Sequence, residues 1–278
     1  MLKRSKPYLN MARPEAITSP ANPLLKEVRR AVARGALTAG GLVVAESFHL
    51  LEEALRSDCE VKYVLAADSV LSAAETHVRR LAGLRILVLP DALLQTVAGT
   101  ENSQGVIALV KPPEWKLEQL FRGRSLVVVL DGLRDPGNAG AILRAAEAFG
   151  ATGALFLKGA VSPYNPKTVR ASAGSLFRVP FLYGVDTALA RAALQQSKIA
   201  LFAGVPACSS PPVRPLAEVD LTVKCALIIG NEARGVSGAL RSAAIDISIP
   251  TIGVESLNAA VAAGILLYEA RRQRVRQS

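Results

Sequence analysis

The stretch LDGLRDPGNAGAILRAAEAFG, from Leu130 to Gly150, decides the fold. Four β-formers, Leu126, Val127, Val128 and Val129, precede it, and an alanine-rich helical pattern closes it. Strand, glycine loop and helix in that order make one βα unit of an α/β sheet. The usual ligand of such a unit is a nucleotide phosphate at the helix N-terminus. The spacing argues against a dinucleotide: Gly132, Gly137 and Gly140 do not form G-x-G-x-x-G, and no acidic residue ends a second strand at the expected distance. The loop instead carries Arg134, Asp135, Pro136 and Asn138, with Arg144 further along the helix. Asp131 and Asp135 have no His or third carboxylate beside them, so they read as turn formers and no metal site is expected.

Around this unit, 278 residues suit two domains. From Asn22 the pattern predicts helix 23–34, strand 42–45, helix 48–56, strand 61–66, helix 70–81, strand 85–89, helix 92–98 and strand 106–110. Short apolar runs alternating with amphipathic segments indicate a small α/β domain. KPPEWK, from Lys111 to Lys116, breaks the pattern and marks a linker. The expected division is a basic extension (1–20), a small domain (21–110), a linker (111–124) and a larger domain (125–278).

The larger domain reads as strands 126–130, 154–157, 179–182, 199–202, 226–229 and 245–249. Helices are predicted over 138–149, 166–176, 187–196 and 257–272, with a short turn near 237–241. Near-continuous apolar strands indicate a parallel sheet covered on both faces. PACSSPPVRP, from Pro206 to Pro215, reads as a surface loop. The last helix is apolar all round. Leu257, Val261, Ile265 and Tyr268 form one stripe, and Ala259, Ala262, Ala263, Leu266 and Ala270 cover most of the rest. Such a helix is buried on more than one side. One side meets its own sheet; the other implies a homodimer interface, with deep burial inside one chain as the rival.

The net charge is +10, from 33 Lys and Arg against 23 Asp and Glu, and the excess is concentrated at both ends. Clustered basic charge favours a polyanion partner, most simply nucleic acid, with a solvated surface as the alternative. Three scattered cysteines, Cys59, Cys208 and Cys225, argue against a disulfide framework or a cysteine zinc site. His49 and His77 fall in separate helical patterns and read as ordinary helix residues. No stretch of eighteen apolar residues suggests a membrane span. The basic start lacks the apolar core of a secretory signal, so a cytoplasmic location is expected.

Two further loops carry glycine. IIGNEARGVS, from Ile228 to Ser237, follows a buried strand and places Glu232 between Gly230 and Gly235. ISIPTIGVESLN, from Ile247 to Asn258, leads into the final helix, with Ser256 as expected N-cap and Asn258 in the first turn. A cap explains Ser256 but leaves Asn258, a poor helix former, unexplained.

The three loops together resemble the SpoU (TrmH-type) RNA ribose 2′-O-methyltransferases of the SPOUT superfamily. The likeness rests on N-x-G-x-I-x-x-R in NAGAILRAAEAFGA, G-N-E-x-x-G in GNEARG and I-P-x-x-G-x-x-S-L-N in IPTIGVESLN, in that order. PYNPKTVRASAGSLFRVP, from Pro163 to Pro180, is similar to the family's segment between the first two motifs. SPANPLLKEVRR, GLVVAESFHLLEEAL and ENSQGVIALV resemble its ribosomal-protein-like substrate-binding domain. One departure is Ser47, where such sequences commonly have Gly after Glu46.

The resemblance implies a parallel α/β sheet whose C-terminal segment forms a deep trefoil knot. It implies S-adenosylmethionine as methyl donor and a dimer with its sites near the interface. Asn138, Arg144, Glu232, Ser256 and Asn258 match the family's motif polar residues. Gly230, Asn231, Gly235, Ile249, Leu257 and Asn258 are the expected cofactor contacts, with Phe202, Ala203 and Gly204 closing the adenine side. Arg29, Arg30, Arg134 and Arg170 are the expected RNA contacts.

A guanidinium is essentially always protonated. The resemblance therefore leaves open whether an RNA phosphate takes the proton while Arg144 orients it, or tunes the arginine. For Glu232, a loop-shaping and a chemical role both stay open. The accessory domain points to large-subunit (23S-type) ribosomal RNA as substrate. The alternatives are transfer RNA, or a noncatalytic RNA-binding protein that keeps the fold.

Overall fold

A computed structural model describes residues 14–57, 59–79, 83–209 and 213–275, and the chain divides after Pro113 into two compact units. In the first, β1 (Glu15–Ala16), α1 (Pro23–Arg34), β2 (Val43–Glu46), α2 (Phe48–Arg56) and β3 (Glu60–Ala67) are followed by α3 (Leu71–Val78), β4 (Arg85–Leu89), α4 (Asp91–Gln95) and β5 (Val106–Lys111). The strands form a mixed sheet in the order β1-β4-β3-β5-β2. Leu25, Val28, Leu65, Leu89, Ile107 and Leu109 fill its core. Part of the expected N-terminal extension is structure: Glu15 and Ala16 pair in parallel with Leu87 and Val88. Lys3, Arg4, Lys6 and Arg13 of the basic N-terminal cluster, and the far end of the helix expected over 70–81, lie outside the described residues.

The second unit contains α5 (Leu117–Leu120), β6 (Leu126–Asp131), α6 (Pro136–Ala148), β7 (Gly153–Leu157), α7 (Pro166–Ala171), β8 (Phe181–Val185), α8 (Thr187–Gln196) and β9 (Ala200–Gly204). It ends with β10 (Arg214–Pro215), β11 (Cys225–Gly230), α9 (Gly238–Arg241), β12 (Ile245–Ser248) and α10 (Ala259–Val275). Among the described residues seven strands, all parallel, form one sheet in the order β10-β12-β9-β11-β6-β7-β8. In a parallel sheet the loops at the strand C-termini gather along one edge, where ligands bind. Here those are the loops after β6, β9, β11 and β12.

The structure moves several expected boundaries. The linker expected over 111–124 is folded from Trp115 onward: Leu120 is fully buried, and Trp115, Leu117 and Phe121 pack on the second unit's core. The helix expected over 166–176 stops at Ala171, because Ala173 and Gly174 turn to positive φ (47° and 90°) before a 3₁₀ turn. The strand expected over 179–182 shifts to Phe181–Val185. Close helix packing explains Gly140: a Cβ there would lie 2.5 Å from both the Ala171 Cβ and the Thr168 carbonyl oxygen. α7 can therefore lie directly on α6.

The family departure at Ser47 has a local cost. Its backbone adopts φ 144°, ψ 158°, a region that glycine tolerates and other residues do not. In return its hydroxyl accepts from the Leu50 N–H at 3.1 Å and caps α2. Such strain costs about 1–3 kcal/mol, against a few tenths for exchanging the cap and ~0.4–1 kcal/mol for the freer unfolded chain. Ser47→Gly is expected to stabilise the protein by about 1 kcal/mol in denaturant unfolding, and a loss of stability would mean the cap outweighs the strain.

Candidate active site and cofactor pocket

Two loops meet on one carboxylate, and a third joins them through Asn138. Glu232, in the loop after β11, accepts from the Asp135 N–H through Oε1 (3.1 Å) and from the Arg134 N–H through Oε2 (3.2 Å). Both donors precede α6, whose own N-cap is Asp135, accepting from the Asn138 N–H at 2.7 Å. The Asn138 Nδ2 donates weakly to Glu232 Oε1 at 3.5 Å, and the Asn138 Oδ1 accepts from Asn258 Nδ2 at 2.9 Å. Asn138, Glu232 and Asn258 thus come together as the resemblance implies. Burial by itself would push the Glu232 carboxyl up. The N–H groups of Glu232, Asp135 and Arg134 and the Asn138 amide outweigh it and hold the pKa below the usual glutamate range.

Asn258 also corrects the expected start of the last helix. Its Oδ1 accepts from the Ala260 and Val261 N–H groups (2.9 and 3.3 Å), so Asn258, and not Ser256, is the N-cap, and α10 begins at Ala259. The chain stays irregular through Ser256 and Leu257, which lets both line a hollow beside the cluster.

That hollow has a volume of about 680 Å³, within the range of small-molecule sites. The segments after β9 (Gly204–Ala207), β11 (Gly230–Val236) and β12 (Ile249, Thr251, Glu255–Asn258) wall it, with Ala262 and Leu266 of α10 behind. The loop after β11 folds back on itself through paired backbone bonds between Asn231 and Gly235 (3.0 and 2.8 Å). A Cβ at Gly230 would lie 2.2 Å from the Gly235 carbonyl carbon, so only glycine permits this fold. The buried Asp131 anchors the loop's far end by accepting from the Ser237 N–H at 2.7 Å.

Of the expected cofactor residues, Gly204, Gly230, Asn231, Gly235, Ile249, Leu257 and Asn258 line the hollow. Phe202 and Ala203 do not: they are 4 % and 0 % exposed inside β9, their side chains directed to opposite faces of the sheet, and the wall starts only where the strand ends. Val205, Pro206, Thr251 and Glu255 join the wall without having been singled out. The signal was their position directly after strands in a parallel sheet. The Pro/Ser-rich segment, read as plain surface, contributes Pro206, Ala207 and Ser209.

Arg144 lies elsewhere. Six residues past Asn138, it is carried roughly 240° around the helix, and it is exposed on α6 outside the hollow. Of the RNA contacts expected from the sequence, Arg30 and Arg134 are exposed and Arg170 is half-buried. Arg29 is engaged within its own unit, donating to the Pro20 carbonyl and the Thr96 hydroxyl (3.0 and 3.1 Å). Among the described residues no His, Cys, Asp and Glu cluster could hold a metal ion, and no helix is long and apolar enough to cross a membrane.

A parallel α/β sheet with a pocket at its C-terminal edge, walled by two motif loops and tied to the third through Glu232 and Asn138, defines the class to which comparison assigns the chain. It belongs to the SpoU rRNA Methylase family, whose model matches residues 125–268, and residues 22–108 match the MRM3-like substrate binding domain. The chain is 30% identical to the 23S rRNA (guanosine(2553)-2′-O)-methyltransferase RlmP of Bacillus subtilis, over 92% of this chain and 98% of that protein. It is 31% identical to the 23S rRNA (guanosine-2′-O-)-methyltransferase RlmB of Ralstonia nicotianae, over 82% and 94%. Among solved structures, the SpoU methyltransferase AviRb from Streptomyces viridochromogenes in complex with AdoMet is similar with a TM-score of 0.80 at 28% identity, over 92% of this chain and all (100%) of that one.

The depressed Glu232 pKa sets an acid limit. A carboxyl stabilised as its anion contributes fully above its ordinary range, ~4.3, and loses that contribution only as pH falls through the lower folded value. Donor binding by calorimetry is therefore expected to be insensitive to Glu232 titration between pH 8 and 5. Glu232→Gln at neutral pH, which sets an amide NH₂ against one of two backbone N–H donors, should weaken it by on the order of tenfold. An unchanged affinity would remove Glu232 from the loop's support.

Proposed function

We propose that this chain is an S-adenosylmethionine-dependent methyltransferase of ribose 2′-hydroxyls in large-subunit ribosomal RNA, acting as a cytoplasmic homodimer. The observation that carries the reading is the Asn138–Glu232–Asn258 cluster at the edge of a hollow of about 680 Å³. The relatives' activity toward 23S rRNA and the match of residues 22–108 to a substrate-binding domain support the RNA assignment. We assign RNA binding to the domain over 21–110.

The hollow fits the donor in size and chemistry. The backbone around Gly230 and the apolar Ile249, Leu257 and Leu266 would hold the nucleoside, with polar groups of Asn231 and Asn258 beside it. When bound, S-adenosylmethionine supplies an electrophilic methyl group. The protein's share of an in-line displacement is then largely positioning. Glu232 is a poor proton acceptor, since its oxygens already accept N–H bonds and its pKa is held low. It serves to shape the loop. Asn138 and Asn258 orient the acceptor ribose. Arg144 holds an RNA phosphate, and a phosphate oxygen takes the hydroxyl proton, because the guanidinium stays protonated.

The dimer reading rests on α10. Ala263, Leu266, Leu267 and Ala270 face the chain's own core, whereas Val261 and Tyr268 are 51 % and 54 % exposed. That argues against complete burial within one chain. The Phe149–Tyr268 ring contact (5.8 Å) joins the stripe to α6, the helix bearing Arg144. A second copy packed there would bring Arg144 toward the partner's site. A knotted path is favoured by the route of the C-terminal segment, which leaves β12 beyond β9 and returns to pack α10 on β11 and α6.

The test is transfer of labelled methyl to an unmodified large-subunit ribosomal RNA transcript, with the product mapped by ribose-methylation sequencing. Methylation of a base, or of transfer RNA alone, would overturn the assignment.

Arg144→Lys should keep donor binding but lose about a hundredfold in single-turnover transfer, equivalent to about 2.7 kcal/mol. A lysine keeps the charge without the bidentate fork. Near-normal turnover by that variant would contradict the role given to the fork. Tyr268→Glu should shift the protein toward monomer in light scattering. Mixed dimers of Arg144→Ala with Asn138→Ala should recover transfer that neither variant shows alone, and failure to recover it would place Arg144 in its own chain's site.

A further inference from the structure

A second, open depression of about 490 Å³ lies beyond the Glu232 loop. It shares Asn231–Arg234 with the donor hollow as a common wall, and its remaining lining residue is Arg134. Two guanidinium groups therefore flank it, one from the loop after β6 and one from the loop after β11. The nearest acid does not neutralise them. Glu232 is bonded to backbone N–H groups and the Asn138 amide, and Asp135 caps α6 and lies 4.0 Å from Lys167. Among the described residues neither Arg134 nor Arg234 forms an ion pair, and both are exposed.

We propose that Arg134 and Arg234 form a two-sided clamp for an RNA phosphodiester next to the target ribose, with Arg234 a binding residue that no motif reading had marked. Position supports this. Glu232 lines both the depression and the donor hollow and takes the Asn138 amide, so the depression lies one side chain away from the Asn138–Asn258 pair. Two uncompensated forks across an open hollow suit the two non-bridging oxygens of a monoanionic phosphodiester better than a single planar base. The donor's own carboxylate is the other source of that chemistry, since Arg234 also borders the donor hollow. Arg134 borders only the depression, so a site needing both arginines lies on the RNA side.

The inference rests on the RNA methyltransferase reading, and its test separates the two. Equilibrium binding of the full-length protein to an unmodified large-subunit ribosomal RNA transcript is measured across a salt series, with donor affinity measured by calorimetry and transfer kinetics in parallel. Arg134→Gln and Arg234→Gln should each raise the KM for RNA on the order of tenfold, with a smaller change in kcat. The double variant should lower the slope of log affinity against log salt by about 1, one phosphate's worth. Arg234→Lys should restore the slope. Donor affinity should stay within twofold. A weakened donor affinity with an unchanged RNA slope would assign the arginines to the donor carboxylate and overturn the clamp, as would a double variant that changes neither. A wild-type protein that binds the RNA with this salt response but transfers no methyl would sink the methyltransferase reading and leave the clamp standing.

Discussion

One side-chain amide holds the site in register. Asn258 starts α10 with its carbonyl oxygen and reaches Asn138 with its nitrogen. An aspartate would cap the helix as well but could not donate, and a serine would not span the gap. The bond fixes Asn138, whose other end faces Glu232, and Glu232 in turn takes the N–H groups ahead of α6. Loops from β6, β11 and β12 are thereby tied through a chain of three side chains. Because the strands are parallel, all three loops leave the sheet at the same edge, so short polar side chains suffice to join segments 94 and 120 residues apart in sequence.

The sheet was legible because its strands are buried on both faces, and a buried parallel strand reads as an uninterrupted apolar run. β6 and β11 satisfy this throughout, since all of Leu126–Asp131 and Cys225–Ile229 is buried. What escaped were β1 and β10, two-residue edge strands that exist only through partners distant in sequence. The motif residues were legible by order, yet their local roles were not. Ser256 has the composition of an N-cap and Asn258 does not look like the first choice, but Leu257 is needed on the pocket wall, which delays the helix by two residues. Phe202 and Ala203 line no hollow for a related reason: they lie buried inside β9, and only the residues from its end onward are free to line one.

In the last helix, composition leaves the geometry open. Apolar residues all round demanded two buried faces. The structure divides them: small Ala263 and Ala270 with Leu266 and Leu267 against the chain's own core, and the larger Val261 and Tyr268 outward. Substitutions at Ala263 or Leu266 would therefore disturb the donor pocket and the core directly. Only the outward stripe can report on association.

The site must satisfy two opposed electrostatic demands. It needs an acidic residue rigid enough to organise three loops, and it must admit a polyanion beside it. Pairing Glu232 with an arginine would meet the first demand and defeat the second, since the arginine's charge would be consumed. The structure instead satisfies the carboxylate with backbone N–H groups, which carry no net charge. Those same N–H groups belong to Arg134 and Asp135, so the bond that quiets the acid also fixes the backbone from which the Arg134 side chain projects. The guanidinium of Arg134 and that of Arg234, two residues beyond Glu232, remain available at the surface. Acid and base are thus separated by routing one through the backbone and the other through side chains.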